Sequence, residues 1–166
     1  MKKFLVPALI LIFCGGITVS VFPLSKFSGR IVKFSHKVHV VGQGIECEAC
    51  HVYVKKQTFA GIPDIGICLG CHESKITDSP EEEKIRQASS RHEDLEWERV
   101  FKLPSHVYFS HRRHVGIANI DCVKCHGEVW KMTEPLTSPL KTLVMEDCIE
   151  CHKERNVVWD CVDCHR

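Results

Sequence analysis

The hydrophobic pattern is lopsided. After a basic start, Met1-Lys2-Lys3, an uncharged run extends from Phe4 to Ser25, broken only by Pro7, Gly15, Gly16, Pro23 and a few hydroxyls. About 20 such residues suffice to cross a bilayer. A cleaved secretory signal fits the same run, although no small-x-small site closes it; Thr18-Val19-Ser20 is the nearest substitute. An uncleaved membrane anchor over residues 1–25 is the preferred expectation. Cys14 reads as a plain apolar cysteine within it, because Phe13 is too bulky for the small residue that precedes a lipid-bearing cysteine. Lys26, Arg30 and Lys33 follow, which leaves the charge bias across the run weak.

Beyond the run, one helix announces itself. Ser79 supplies an N-cap, Pro80 the first helical position, and Glu81-Glu82-Glu83 the acidic first turn, with Glu82 placed for a capping box. The helix should end near Ser90, and its charged face suggests packing outside the main body or against a partner. Pro135 and Pro139 mark an irregular connection further on. The rest reads as loops and short helices with little extended sheet, divided into units at 26–78 and 105–166 and a helical linker at 79–104.

The cysteines explain how so little periodic hydrophobicity can fold. Of eleven cysteines, ten lie in five C-x-x-C-H motifs: Cys47, Cys50 and His51; Cys68, Cys71 and His72; Cys122, Cys125 and His126; Cys148, Cys151 and His152; and Cys161, Cys164 and His165. Two thiols three residues apart can each form a thioether to a haem vinyl group, while the adjoining histidine reaches the iron. Zinc ribbons and thiol-disulfide centres also use C-x-x-C, but neither requires a histidine after every pair, and zinc sites that combine pairs would leave the fifth unpartnered. Five covalently bound haem c groups are therefore expected. With roughly 28 residues per haem in the body, the porphyrins themselves must supply the core. The formal charge of +1 omits the haem propionates, so the loaded protein should be acidic, with no nucleic-acid partner.

A duplication supplies the opposite side of the irons. Phe34-Ser35-His36-Lys37-Val38-His39-Val40 precedes Cys47, and Phe109-Ser110-His111-Arg112-Arg113-His114-Val115 precedes Cys122, each phenylalanine thirteen residues before its cysteine. These F-x-H-x-x-H units resemble those of the cytochrome c3 and c7 class, and the resemblance implies His36, His39, His111 and His114 as distal ligands. Five six-coordinate irons need one more, and the candidates are His92, His106, Met132 and Met145. His92 lies in a charged, solvated stretch and His106 reads equally as polar filler. A methionine, Met132 or Met145, would give one haem a raised potential.

The F-x-H-x-x-H units resemble the cytochrome c3 and c7 class, so the fold expected is a c3/c7-like multihaem cytochrome with one N-terminal transmembrane helix. From Phe34 to Arg166 the chain also resembles the pentahaem subunit of alternative complex III, a bacterial quinol-oxidising membrane complex. The resemblance rests on Phe34-Ser35-His36-Lys37, Phe59-Ala60-Gly61-Ile62-Pro63, Trp97 to Pro104, Val107-Tyr108-Phe109 with His111, Cys125-His126-Gly127 with Val129 and Met132, Leu143, Met145 and Cys148 before Cys151-His152, and Cys161 to Arg166. It implies bis-histidine ligation with one histidine/methionine haem, and as partners an iron-sulfur subunit, polytopic quinone-binding subunits and a periplasmic redox protein. The spacing between the fourth and fifth motifs is shorter than in that family, and Asp147 stands where a tryptophan is usual. Related subunits serve quinone-reducing complexes in which electrons run the other way. The expected function is electron transfer by a membrane-anchored cytochrome with no catalytic residues. Because c-type haem is attached outside the cytoplasmic membrane, the haem domain should lie on the periplasmic side. The alternatives are a free periplasmic shuttle, a haem-filament subunit, or a small multihaem reductase with one open iron.

Overall fold

The computed structural model describes residues 32–165. The expected anchor at 1–25, with Cys14, lies outside them; among the described residues no helix is long and apolar enough to cross a membrane. Helices dominate and all are short: α1 (Cys47–Cys50), α2 (Ile65–His72), α3 (Pro80–Ser90), α4 (Val123–His126), α5 (Met145–Glu154) and α6 (Cys161–Cys164). No strand forms among the described residues, only a single antiparallel bridge between Val107 and His165. Two π-helical turns, Lys37–Gly42 and Arg112–Ile117, and a 3-10 turn at Val129–Lys131 complete the set.

The duplicated segments fold alike. Each His-x-x-His pair opens a π-helical turn rather than an α-helical one, at Lys37–Gly42 and Arg112–Ile117. The wider turn is a recurrent feature of functional sites. Each turn closes on the carbonyl of its second histidine, with Ile45 N–H donating to His39 at 3.1 Å and Ile120 N–H to His114 at 3.0 Å. The two units then exchange donors. Lys37 N–H donates to the Met132 carbonyl, and Arg112 N–H donates to the Gln57 carbonyl, both at 2.9 Å. Lys37 and Arg112 are 75 residues apart, as are Gln57 and Met132, so the exchange is that of an internal two-fold. Gly116 sits where the second turn meets the first unit: a Cβ there would lie 2.3 Å from the Lys55 carbonyl oxygen.

Helix α3 runs over the expected residues, with Ser79 as N-cap and Pro80 at its start. The capping box does not form. Ser79 Oγ accepts from Glu81 N–H, and the Glu82 carboxylate instead reaches upstream to accept from Ile76 N–H, Thr77 N–H and the Thr77 hydroxyl. Nor does the helix stand apart. It buries Glu82, Ile85 and Ala88, and packs Ile85 and Ala88 with Val32 and Leu95 against Ile65, Cys68, Leu69 and Trp97. Charge along the helix hides this because only every third or fourth residue needs to be apolar. Trp97 Nε1 donates to the Pro63 carbonyl and Asp94 accepts from Ile65 N–H, which fastens α2 to the segment after α3. The α3 terminus is capped by His92 in the left-handed region, φ 55°, with Glu93 N–H donating back to Ala88.

This cluster is nearly all the apolar core there is. Among the described residues the buried hydrophobic side chains are Val32, Val54, Ile85, Ala88 and Leu95, and none lies after residue 95.

Candidate haem-binding site

Each C-x-x-C-H motif occupies a helical turn. Helices α1, α4 and α6 are little more than the motif, while Cys68 and Cys71 lie within the longer α2, and Cys148 and Cys151 within α5. Residues three apart share a face of such a turn, so both cysteines of a pair can reach one group. The ten described cysteines are free of disulfides. Cys47, Cys71, Cys148 and Cys161 are exposed, whereas Cys50, Cys68, Cys122, Cys125, Cys151 and Cys164 are half-buried. In every pair except Cys122 and Cys125, then, one cysteine is more exposed than the other. Burial pushes the Cys68 thiol up to about 11, and burial also raises Cys50, Cys122, Cys125 and Cys148. A reactive free thiolate needs a shift in the other direction.

The histidines are placed in opposed pairs. His39 faces His72 with ring centres 6.1 Å apart, His111 faces His126 at 6.2 Å, His114 faces His152 at 6.0 Å, and His106 faces His165 at 5.4 Å. Every pair joins one motif histidine to one from outside the motifs. A metal–imidazole bond of about 2 Å plus about 1 Å to the ring centre puts two rings on opposite sides of one metal about 6 Å apart. No group of three or more metal-ligating side chains gathers among the described residues. Two opposed imidazoles suit a metal that brings its own equatorial ligands, as iron in a porphyrin does.

His36 and His51 remain. The symmetry that places His111 across from His126 relates His36 to His51 by the same 75 residues. Burial lowers the His36 pKa, and the charge of His51 is the next cause. Burial likewise lowers His111 and His126, with His111 and His51 adding to the effect on His126. All three are thus held neutral, the form that offers a lone pair.

Hydrogen bonds fix which nitrogen offers it. His39 Nδ1 donates to the Ser35 carbonyl at 2.9 Å and His114 Nδ1 to the Ser110 carbonyl at 2.8 Å. His51 donates to Gly61 at 3.0 Å, His111 to Thr58 at 3.0 Å and His152 to Val158 at 2.7 Å. A carbonyl can only accept, so Nδ1 carries the proton and Nε2 is free to ligate. The duplicated phenylalanines complete each cradle. Phe34 stacks on His39 and meets His36 edge-on, at 4.4 and 4.9 Å, and Phe109 treats His114 and His111 the same way at the same distances.

His106 is the residue whose importance the sequence leaves open. Nothing around it repeats; it is brought to His165 by the Val107 bridge and by Tyr108 N–H donating to the Cys164 carbonyl at 2.8 Å. Met132 caps the 3-10 turn and offers its carbonyl to Lys37, while Met145 begins α5 with 56% of its surface exposed. His92 closes α3 through its backbone, and its ring is not one of the opposed pairs.

Residues 107–166 match the family described as cytochrome c7 and related cytochrome c. That C-terminal region is thus similar to the c7-like multihaem cytochromes, and covalently bound haem c is the cofactor the similarity implies. Over 97 residues the chain is 34% identical to a protein named menaquinone reductase, multiheme cytochrome c subunit, from Nitratidesulfovibrio vulgaris (strain Hildenborough). The match takes in 57% of this chain and 44% of that protein, so the chain spans less than half the length of its curated relative.

Proposed function

We propose that this c7-like chain carries five haems, all bis-histidine, and passes electrons between a quinone-linked membrane complex and a periplasmic redox partner. The observation that carries this is the set of four opposed imidazole pairs, each uniting a motif histidine with one from elsewhere. Cys47 with Cys50, Cys68 with Cys71, Cys122 with Cys125, Cys148 with Cys151, and Cys161 with Cys164 would hold haem through thioethers. His51, His72, His126, His152 and His165 would bind the irons from one side. His36, His39, His111, His114 and His106, in that order of partner, would bind from the other. His106, rather than Met132 or Met145, is the fifth distal ligand on this reading.

Haem supplies a one-electron couple at iron. The chain's own residues orient the imidazoles, hold His36, His111 and His126 neutral, and would offer each iron a histidine from either side, which favours conduction over reaction with a small molecule. The name of the relative supports a quinone-linked role, and the apolar run at 1–25 supports attachment to the cytoplasmic membrane with the haem domain outside. Intact mass of the protein from native membranes should give five haems with residues 1–25 retained. Its reduced spectrum should be low-spin, with negligible carbon monoxide binding. A strong high-spin component would sink the closed-site reading in favour of a reductase, and purification without iron-sulfur or polytopic subunits would favour a free carrier.

A further inference from the structure

His72 differs from His51 and His152 in what stands behind it. His51 and His152 each donate Nδ1–H to a neutral backbone carbonyl. His72 Nδ1 is buried without a hydrogen-bond partner, and 3.6 Å from it stands Oε1 of Glu82. That distance is too long for a hydrogen bond, so the carboxylate acts on the ring through space.

Glu82 is built to stay charged. It is 5% exposed, yet accepts from Ile76 N–H and Thr77 N–H at 2.8 Å each and from the Thr77 hydroxyl. Arg86 donates to the same Oε1 at 2.6 Å. The Thr77 hydroxyl first, and then the Ile76 amide, hold this carboxyl well below the usual carboxylate range. A loop tie alone would not require the oxygen to face a haem ligand, and α3, which carries Glu82, has its main interhelical packing against α2, which carries His72.

We propose that Glu82 is a positioning residue that sets the potential of the centre held through His72: its fixed negative charge favours the oxidised iron and makes this centre harder to reduce than it would otherwise be. The inference rests on the haem reading above. Arg86 opposes Glu82 at the same oxygen, so the two residues form a charge pair whose members pull the potential in opposite directions. Groups that stand behind a metal-bound histidine commonly shift metal properties tenfold or more.

The test is potentiometric titration of the full, haem-loaded chain, each centre being followed by its haem-methyl NMR shifts. Glu82→Gln, which removes the charge but keeps the side chain's shape and one of its two acceptor oxygens, should raise one midpoint by about tenfold in that centre's reduction equilibrium, or about 59 mV for one electron. Arg86→Met should lower the same midpoint. A purely structural role would move the midpoint the same way in both variants, or not at all, and either result overturns the proposal. If Glu82→Gln does not load haem, Arg86→Met decides alone: a fall supports the proposal, and a rise or no change ends it. Haem is counted first by intact mass. A wild-type count below five would fail the five-haem reading itself, whereas five haems with unmoved potentials fails only the role of Glu82.

Discussion

The two duplicated units share a device and differ in what supports it. In both, phenylalanine, serine and two histidines set two imidazoles at nearly identical angles, and a π-helical turn closes on the second. Behind the first unit stand α2 and α3, the apolar cluster around Ala88, and a buried carboxylate. Behind the second no described hydrophobic side chain is buried, and Phe101 rather than a helix pair covers its motif histidine, edge-on to His126 at 4.3 Å. The device therefore fixes ligand geometry without help from a protein core. What the surroundings add is individuality: the first unit can hold a charge next to a ligand, because it has an interior in which to bury one.

The equivalence of the devices can be broken most sharply at the ligands. On the five-haem reading, His39→Gly and His114→Gly should each convert one haem from low-spin to high-spin and create one carbon monoxide site, measured by optical titration. Two sites in one variant and none in the other would show that the halves are not interchangeable. The junction between the units comes next. Gly116→Ala drives a Cβ into the Lys55 carbonyl and should cost about 3 kcal/mol in denaturant unfolding of the haem-loaded protein. Gly42→Ala, whose Cβ would meet its nearest atom at 3.9 Å, should instead be neutral or stabilise by up to about 1 kcal/mol. Confined to the first unit's core is a change of intermediate size. Ile85→Ala should cost about 2 kcal/mol, the low end for such truncations because the cluster is small and can close up. Its spectra should remain low-spin, since no ligand rests on Ile85 alone.

Covalent chemistry and repetition are legible in the sequence because both are local. The cysteine pairs, the motif histidines and the Phe-Ser-His units announce themselves by spacing, and α3 by its caps. The pairing of rings is not legible, because His39 meets His72 and His106 meets His165 only after the chain has folded back. His106 lacks a repeat to mark it, and its neighbour Tyr108 reaches Cys164 through the backbone, which carries no side-chain signature. Glu82 misleads for a related reason. A glutamate three residues after a serine suits a capping box and a buried acceptor equally well, and only the course of residues 76–77 decides between them.

The exchange of amide donors between Lys37 and Met132, and between Arg112 and Gln57, bears on how the protein is made. A solenoid can settle repeat by repeat as it leaves the ribosome or the translocon. Here the early turn borrows an acceptor that is synthesised almost a hundred residues later, so the first half is sealed only once the turn after the third motif has arrived.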